Sequence, residues 1–176
     1  MTTITARLTV PISERDHHRG PLAAPITLCE YGDYECPYCG QAHVVVKQIE
    51  QILGDSLCFA FRHFPLTTVH PYAALAAEAA EVAGAHRKFW SMHDVLYENQ
   101  QALAEPYLIE YAAVVGLDPK QFGQDLESHH FAPSVREQFM TGVRSGVNGT
   151  PTFFINGIRH DAPFDLQSLL SGIREA

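Results

Sequence analysis

The chain has 176 residues, of which 46% are hydrophobic and 18% charged, and its formal net charge is −8. This length allows one domain with a hydrophobic core. The 12 Lys and Arg residues form no run, so the composition argues against nucleic acid and against an anionic membrane surface as partners. No stretch of about 18 consecutive apolar residues occurs, so no membrane-spanning helix is expected.

The first ten residues, MTTITARLTV, lack the apolar stretch of a secretory signal. With Met1 as the native start, we expect a cytoplasmic protein; a chain trimmed ahead of Met1 would also fit a mature periplasmic domain. The four cysteines are too few for a disulfide-stapled secreted scaffold. In a reducing compartment they indicate catalysis or metal binding rather than structural disulfides.

The apolar pattern predicts an α/β chain in which a βαβ unit precedes a block of helices and a ββα unit. Residues 1–24 are expected to form an extended lead-in with a loop. Residues 26–31 (ITLCEY) and 57–64 (LCFAFRHF) are apolar on both faces, which is typical of buried strands. Between them we predict a helix that begins at Pro37, where proline is tolerated, and that Gly54 ends.

The rest of the chain is predicted to be helical, with a hairpin near the end. Helices are expected at 71–99 (interrupted near Gly84), 106–115, 119–127 and 133–146. The Asn156-Gly157 pair predicts a tight turn between strands at 152–155 and 158–160, and a last helix follows at 165–174. We therefore expect one domain over residues 1–176, with a βαβ half at about 25–66, an inserted helical block at about 70–146 and a ββα half at about 150–175.

The segment Cys36-Pro37-Tyr38-Cys39 is the candidate reactive site. Cys36 follows a buried strand and begins a helix, where free N–H groups and the positive end of the helix dipole stabilise a thiolate. A thiolate attacks a substrate disulfide to give a mixed disulfide, and Cys39, one turn later, can then release the product. This arrangement predicts a redox-active Cys36–Cys39 disulfide.

Two alternatives for this pair are two inert structural thiols and a zinc site. Such a site needs two further ligands at matching spacing, but Cys29 and Cys58 occur singly within predicted strands and no second Cys-X-X-Cys is present. We interpret those two cysteines as small core residues. The histidine doublets His17-His18 and His129-His130 are interpreted as solvated loop residues, so no metal is expected.

Glu30 is the only carboxylic acid in an otherwise largely apolar predicted strand, six residues before Cys36. Burial of a carboxylate is unfavourable, so its pKa should rise and it should require a partner. Strand geometry places it beneath the active-site helix, where it could exchange a proton with Cys39 through water. The alternative is a structural acid that pairs with Arg62 on the neighbouring strand.

With the cysteine pair at a strand–helix junction, the chain resembles the DsbA-like branch of the thioredoxin superfamily. The similarity extends over most of the chain from Gly20 onward. It rests on the segments ITLCEYGDYECPYC, FRHFPL, HPYAALAAEAAEVAG, KFWSMHDVLYENQ and GVNGTPTFFINGI. The resemblance implies a thioredoxin-like fold, βαβ and ββα halves with a helical insertion between them, and protein-disulfide oxidoreductase activity.

The resemblance also implies which residues bind substrate. Thr150 should precede a cis Pro151 that lies against the cysteine pair, and the main chain there should receive the substrate peptide. Pro37 and Tyr38 should contribute to the same surface. Glu30 matches the buried acid of the family by its spacing from the first cysteine.

Two departures from the family pattern bear on the direction of electron flow. Pro37-Tyr38 resembles the dipeptide of glutaredoxins, and without a histidine between the cysteines the couple should be less oxidising. The absence of a recognisable signal also favours a cytosolic dithiol reductase. Protein or peptide thiols and disulfides are the expected partners, with glutathione or a reductase as electron donor and no further cofactor.

Two other functions remain as alternatives. Some relatives with this helical insertion are glutathione-linked transferases or isomerases, but these usually carry serine in place of the cysteine pair. A redox sensor or chaperone would instead use the helical block to bind partners, with slow exchange and a change in binding upon oxidation.

Overall fold

A computed structural model describes residues 6–176 as an α/β fold built on a five-stranded sheet with the order β1-β3-β2-β4-β5. The strands are β1 His17–Arg19, β2 Ile26–Gly32, β3 Leu57–His63, β4 Thr152–Ile155 and β5 Ile158–His160. The helices are α1 Pro37–Leu53, α2 Ala73–Ala85, α3 Phe89–Glu98, α4 Glu105–Val114, α5 Pro119–Glu127, α6 Ala132–Arg144 and α7 Leu166–Glu175. The predicted order of a βαβ unit, a helical insertion and a ββα unit is confirmed. Within the described residues, no helix combines the length and the apolar character needed to cross a membrane.

Strand β2 lies at the centre of the sheet, parallel to β3 and antiparallel to β4. Its residues alternate between two buried faces because successive side chains of a strand point to opposite sides. Leu28 belongs to the larger core, which also contains residues of α1 and α7. Cys29 and Tyr31 belong to a smaller core that packs against Phe139 of α6. Glu30 therefore faces the helix that carries the cysteine pair.

Helix α1 begins and ends where the sequence predicts. Pro37 occupies the first helical position, where its missing N–H costs no hydrogen bond. Gly54 follows the last residue with φ of 51°, a conformation that glycine adopts readily, and its N–H donates to the carbonyl of Glu50. The helix is thereby fixed between β2 and β3 with its N-terminus at the cysteine pair.

The lead-in segment differs from its prediction, because residues 17–19 form the edge strand β1, antiparallel to β3. His17 is also not a solvated loop residue. Its Nε2 lies 3.0 Å from Oε2 of Glu81, and its ring stacks on Phe89 with centroids 3.6 Å apart. The buried Glu81 carboxylate needs donors, and His17 and His63 supply them from two strands.

The long helical region is interrupted near Gly84, as predicted, at the residues that directly follow α2. Gly84 remains inside α2, whereas the chain turns at residues 86–88, where Arg87 has φ of 61°. Glycine at position 84 is explained by the close approach of β1, because an added Cβ would lie 3.0 Å from Cε1 of His17. Gly84 therefore permits close packing against β1 rather than ending the helix.

Candidate active site

The loop between β2 and α1 brings Cys36 to the N-terminus of α1. Cys36 has extended backbone angles, φ −71° and ψ 120°, and is the residue that caps the helix. Its N–H donates to the carbonyl of Asp33 at 3.1 Å, which closes the turn after the strand. The strand, turn and helix predicted around Cys36 are all present, and the first-turn N–H groups surround its sulfur.

The Cys36 thiol is strongly acidified in this setting. A hydrogen bond from the Cys39 thiol lowers the pKa of Cys36 most, and although burial opposes this effect, contacts with Thr150 and with first-turn backbone N–H groups bring it to about 5. Cys36 is nonetheless only 4% accessible. The Thr150 carbonyl oxygen, 3.5 Å from the sulfur, accounts for part of this cover.

Cys39 and Glu30 have the opposite electrostatic character. Cys39 is fully buried, and burial, followed by its hydrogen bond to Cys36, raises the pKa of its thiol well above 9.0. Glu30 is 1% exposed, and burial together with the Cys36 charge raises its pKa from 4.5 to about 8. Its Oε1 atom has no hydrogen-bond partner among the described residues. The site thus holds one acidic thiol and two groups that retain their protons.

The alternative role of Glu30, as a structural partner of Arg62, is wrong. In the register of β2 and β3, Arg62 lies opposite Tyr31, so it points to the other face of the sheet from Glu30. The Arg62 guanidinium instead binds the Asp16 carboxylate, with Nε to Oδ1 at 2.7 Å. It also donates to the Tyr31 hydroxyl at 3.0 Å. Arg62 is therefore not a partner of Glu30.

The predicted substrate-binding residues lie around the Cys36 sulfur. The Thr150–Pro151 peptide bond is cis, and Thr150 contacts Cys36 as described above. Pro37 and Tyr38 are exposed on the first turn of α1, Tyr38 at 61% of its surface. Thr150 thus lies against the sulfur, and the exposed Pro37 and Tyr38 follow Cys36 directly in the chain.

Three residues that sequence reasoning missed organise this loop. The Asp33 carboxylate accepts hydrogen bonds from the backbone N–H groups of Glu35 and Leu66 and from Nδ1 of His70, each at 2.8 Å. Gln100 donates from Nε2 to the carbonyls of Tyr34 and Cys36 at 2.9 and 2.8 Å. The position of Asp33 before the cysteine pair was a local signal, but its partners are distant in sequence.

Cys29 and Cys58 lie on the sheet face away from α1. Both are buried, and burial raises the pKa of Cys29 to about 12 and also raises that of Cys58. In the register, Cys29 faces Ala60 and Cys58 faces Thr27, so the two are not opposite one another. This placement agrees with their interpretation as core residues.

Among residues 6–176, one group of side chains has the composition of a metal site. Single ligand atoms of His43, His93 and Asp94 lie within 4.8 Å of one another. However, Lys47 Nζ is 3.4 Å and Arg19 Nη1 is 3.8 Å from the Asp94 carboxylate. These two positive charges offset the charge of the carboxylate and oppose a divalent cation there.

Comparison with known proteins assigns the chain to a family. The family model described as thioredoxin (Thioredoxin_4) matches residues 13–175. A curated relative named Na(+)/H(+) antiporter NhaA 3, from Salinispora tropica, is 43% identical over 170 residues, which cover 96% of this chain and 26% of the relative. The chain thus spans about a quarter of the length of the curated relatives that it matches first.

Solved structures share the fold at lower identity. BdbD from Bacillus subtilis, in its oxidised form, superposes with a TM-score of 0.86 at 22% identity, covering 97% of this chain and 96% of that one. Alpha-DsbA1 from Wolbachia pipientis gives a TM-score of 0.78 at 21% identity and covers 96% of this chain and 93% of that one. Together with the family match, the chain therefore belongs to the thioredoxin family and has the fold of its DsbA-like members.

Proposed function

We propose that the protein is a thiol–disulfide oxidoreductase that exchanges disulfides with protein or peptide substrates through Cys36 and Cys39. The observation that carries the proposal is the asymmetry of the pair. The pKa of Cys36 is lowered to about 5, whereas that of the adjacent Cys39 is raised well above 9.0. At neutral pH one sulfur is therefore a nucleophile and the other a protonated reserve.

In the reducing direction, the Cys36 thiolate attacks one sulfur of a substrate disulfide. A mixed disulfide forms, the substrate S–S bond breaks, and the first substrate thiolate leaves. Cys39 then loses its proton and attacks Cys36, which releases the second substrate thiolate and forms the Cys36–Cys39 disulfide. Two electrons pass from the pair to the substrate. A thiol donor such as glutathione, in two equivalents, or a reductase restores the pair.

Glu30 is suited to receive the proton of Cys39. The Cys36 charge helps to raise the pKa of Glu30, and that charge disappears when Cys36 bonds to a substrate sulfur. The carboxyl should then ionise more readily at the moment when Cys39 must lose its proton. Glu30→Gln should therefore slow release of the mixed disulfide more than its formation.

The surface beside Cys36 supports a polypeptide as substrate. The backbone at Thr150 and Pro151, with the exposed Tyr38 ring nearby on α1, offers main-chain polar groups and an apolar contact to an extended chain. We infer that this surface aligns a substrate disulfide with the Cys36 sulfur. Side-chain selectivity would then come from the residues that border it.

The decisive experiment follows the exchange itself. Reduced protein is mixed with a peptide disulfide whose fluorescence rises on reduction, and the rate is compared with that of Cys36→Ser, whose folding is checked by circular dichroism. We expect rapid exchange by the wild type and only the background rate for the variant. Equal rates for the two folded proteins would refute the proposal.

A further inference from the structure

The segment between β3 and α2 places a histidine beside the active-site loop. His70 lies in this segment, 34 positions after Cys36, and its side chain is 19% exposed. Its Nδ1 donates to Oδ2 of Asp33 at 2.8 Å, while the Asp33 carbonyl accepts the N–H of Cys36 at 3.1 Å. One residue, Asp33, therefore holds both the imidazole and the backbone of the nucleophilic cysteine.

The Asp33 carboxylate is a rigid support for this histidine. Its side chain is fully buried and also accepts the N–H of Leu66 at 2.8 Å, so it fixes the start of the same segment. The His70 N–H donates to the Leu66 carbonyl at 2.9 Å and closes the turn. The imidazole is thus held from its ring and from its backbone, with its second ring nitrogen available for a proton.

The charges around this group favour an imidazolium. Burial opposes the charged form of His70, but the Asp33 hydrogen bond and carboxylate, followed by the charges of Cys36 and Glu35, raise the pKa of the imidazole above its usual 6.5. Cys36 itself also faces Cys39 of α1 and Glu30 of β2. Among these groups on the described elements, His70 is the one that carries a positive charge.

We propose that His70, held by Asp33, is a positioning residue that supplies a positive charge to the Cys36 thiolate from outside the cysteine loop. The inference rests on the proposed exchange for its biological meaning, but not for its physical test. The positive charge offsets the buried Asp33 carboxylate, which would otherwise destabilise a nearby thiolate. It also supplies from another segment the cation that the Pro37-Tyr38 dipeptide does not contain.

His70→Asn is the first test, because asparagine retains one N–H donor for Asp33 but has no charge. The rate of Cys36 alkylation by iodoacetamide is measured against pH on reduced protein, with mass spectrometry to locate the label. We expect the midpoint to rise by about one pH unit, so that the rate at pH 5 falls about fivefold. A rise of one unit in the pKa is a tenfold loss of thiolate stabilisation, so the reduction potential in glutathione buffers should fall by about 30 mV.

Two further variants separate charge from structure. His70→Lys restores a positive charge without an imidazole and should return the midpoint to within about 0.3 units of the wild type. His86→Asn is the matched control, since His86 also lies near a carboxylate, Asp125 at 3.9 Å, but at the far end of α2. It should leave the midpoint unchanged.

The outcomes are distinguishable. An unchanged midpoint in His70→Asn, or equal shifts in His70→Asn and His70→Lys, would overturn the proposal, because charge would then not be the cause. Alkylation does not require a disulfide substrate. A shifted midpoint in a protein that fails to exchange would therefore support the role of His70 while refuting the proposed function.

Discussion

Replacing Glu30 by glutamine should change the stability of the protein by an amount that depends on pH. Glutamine has nearly the size of a protonated glutamic acid and never ionises. The carboxyl of Glu30 has a pKa of about 8 in the folded protein, against 4.5 as its ordinary value. A group with a raised pKa binds more protons in the folded state, so the wild type loses stability as pH rises from about 4.5 through about 8.

The size of this effect follows from the pKa shift. At about 1.4 kcal/mol per pKa unit, the full shift lowers the free energy of unfolding of the wild type by about 5 kcal/mol above pH 8. At pH 7 the loss is about 3 kcal/mol. Below about pH 4 the contribution vanishes, because both states are protonated. The free energy of unfolding of Glu30→Gln, relative to the wild type, should therefore increase by several kcal/mol between about pH 4 and about pH 9.

Urea denaturation of the reduced proteins at several pH values measures this difference. Both proteins contain the same cysteines, so the titration of Cys36 cancels except for its coupling to Glu30. Glu110→Gln, at an exposed position of α4, serves as the control and should show no such trend. A constant difference between Glu30→Gln and the wild type across this pH range would show that the carboxyl is not desolvated.

The remaining predictions concern the cysteines and the sheet face opposite α1, where Arg62 lies. Iodoacetamide should modify Cys36 with a midpoint near pH 5 and leave Cys39 unmodified; faster labelling of Cys39 would reverse their roles. Cys39→Ser should accumulate a mixed disulfide with substrate, visible as a mass increase, whereas Cys36→Ser should form none. Asp16→Asn should lower the free energy of unfolding by about 3 kcal/mol, because Arg62 would lose its buried carboxylate. Its Cys36 alkylation midpoint should not move, and a shift would contradict the separation of the two sheet faces.

Local signals account for what the sequence could predict. Pro37 and Gly54 bound α1 because each satisfies a backbone requirement at its own position. Asn156 and Gly157 have φ of 47° and 77°, the left-handed conformations that a two-residue hairpin turn requires. The cysteine pair was identified in the same way, since its chemistry depends on the adjacent strand and helix.

Contacts between distant residues account for what the sequence could not predict. Asp33 and His70 are 37 positions apart, and no periodicity links them. Strand β3 is apolar on both sides, so its pattern does not reveal that Arg62 faces away from Glu30; only the register with β2 does. The strand β1 has three residues and is specified by its pairing with β3 rather than by its own composition.

Gln100 has a consequence for the design of smaller redox proteins from this fold. Its amide, which follows α3 in the helical insertion, binds two carbonyls of the cysteine loop, and an added Cβ at Gly40 would collide with it. The insertion is therefore part of the scaffold that shapes the active site, not a removable appendage. A minimal domain made by excising the helices would need a substitute donor for both carbonyls, and transplanted insertions should be chosen for an amide at this position.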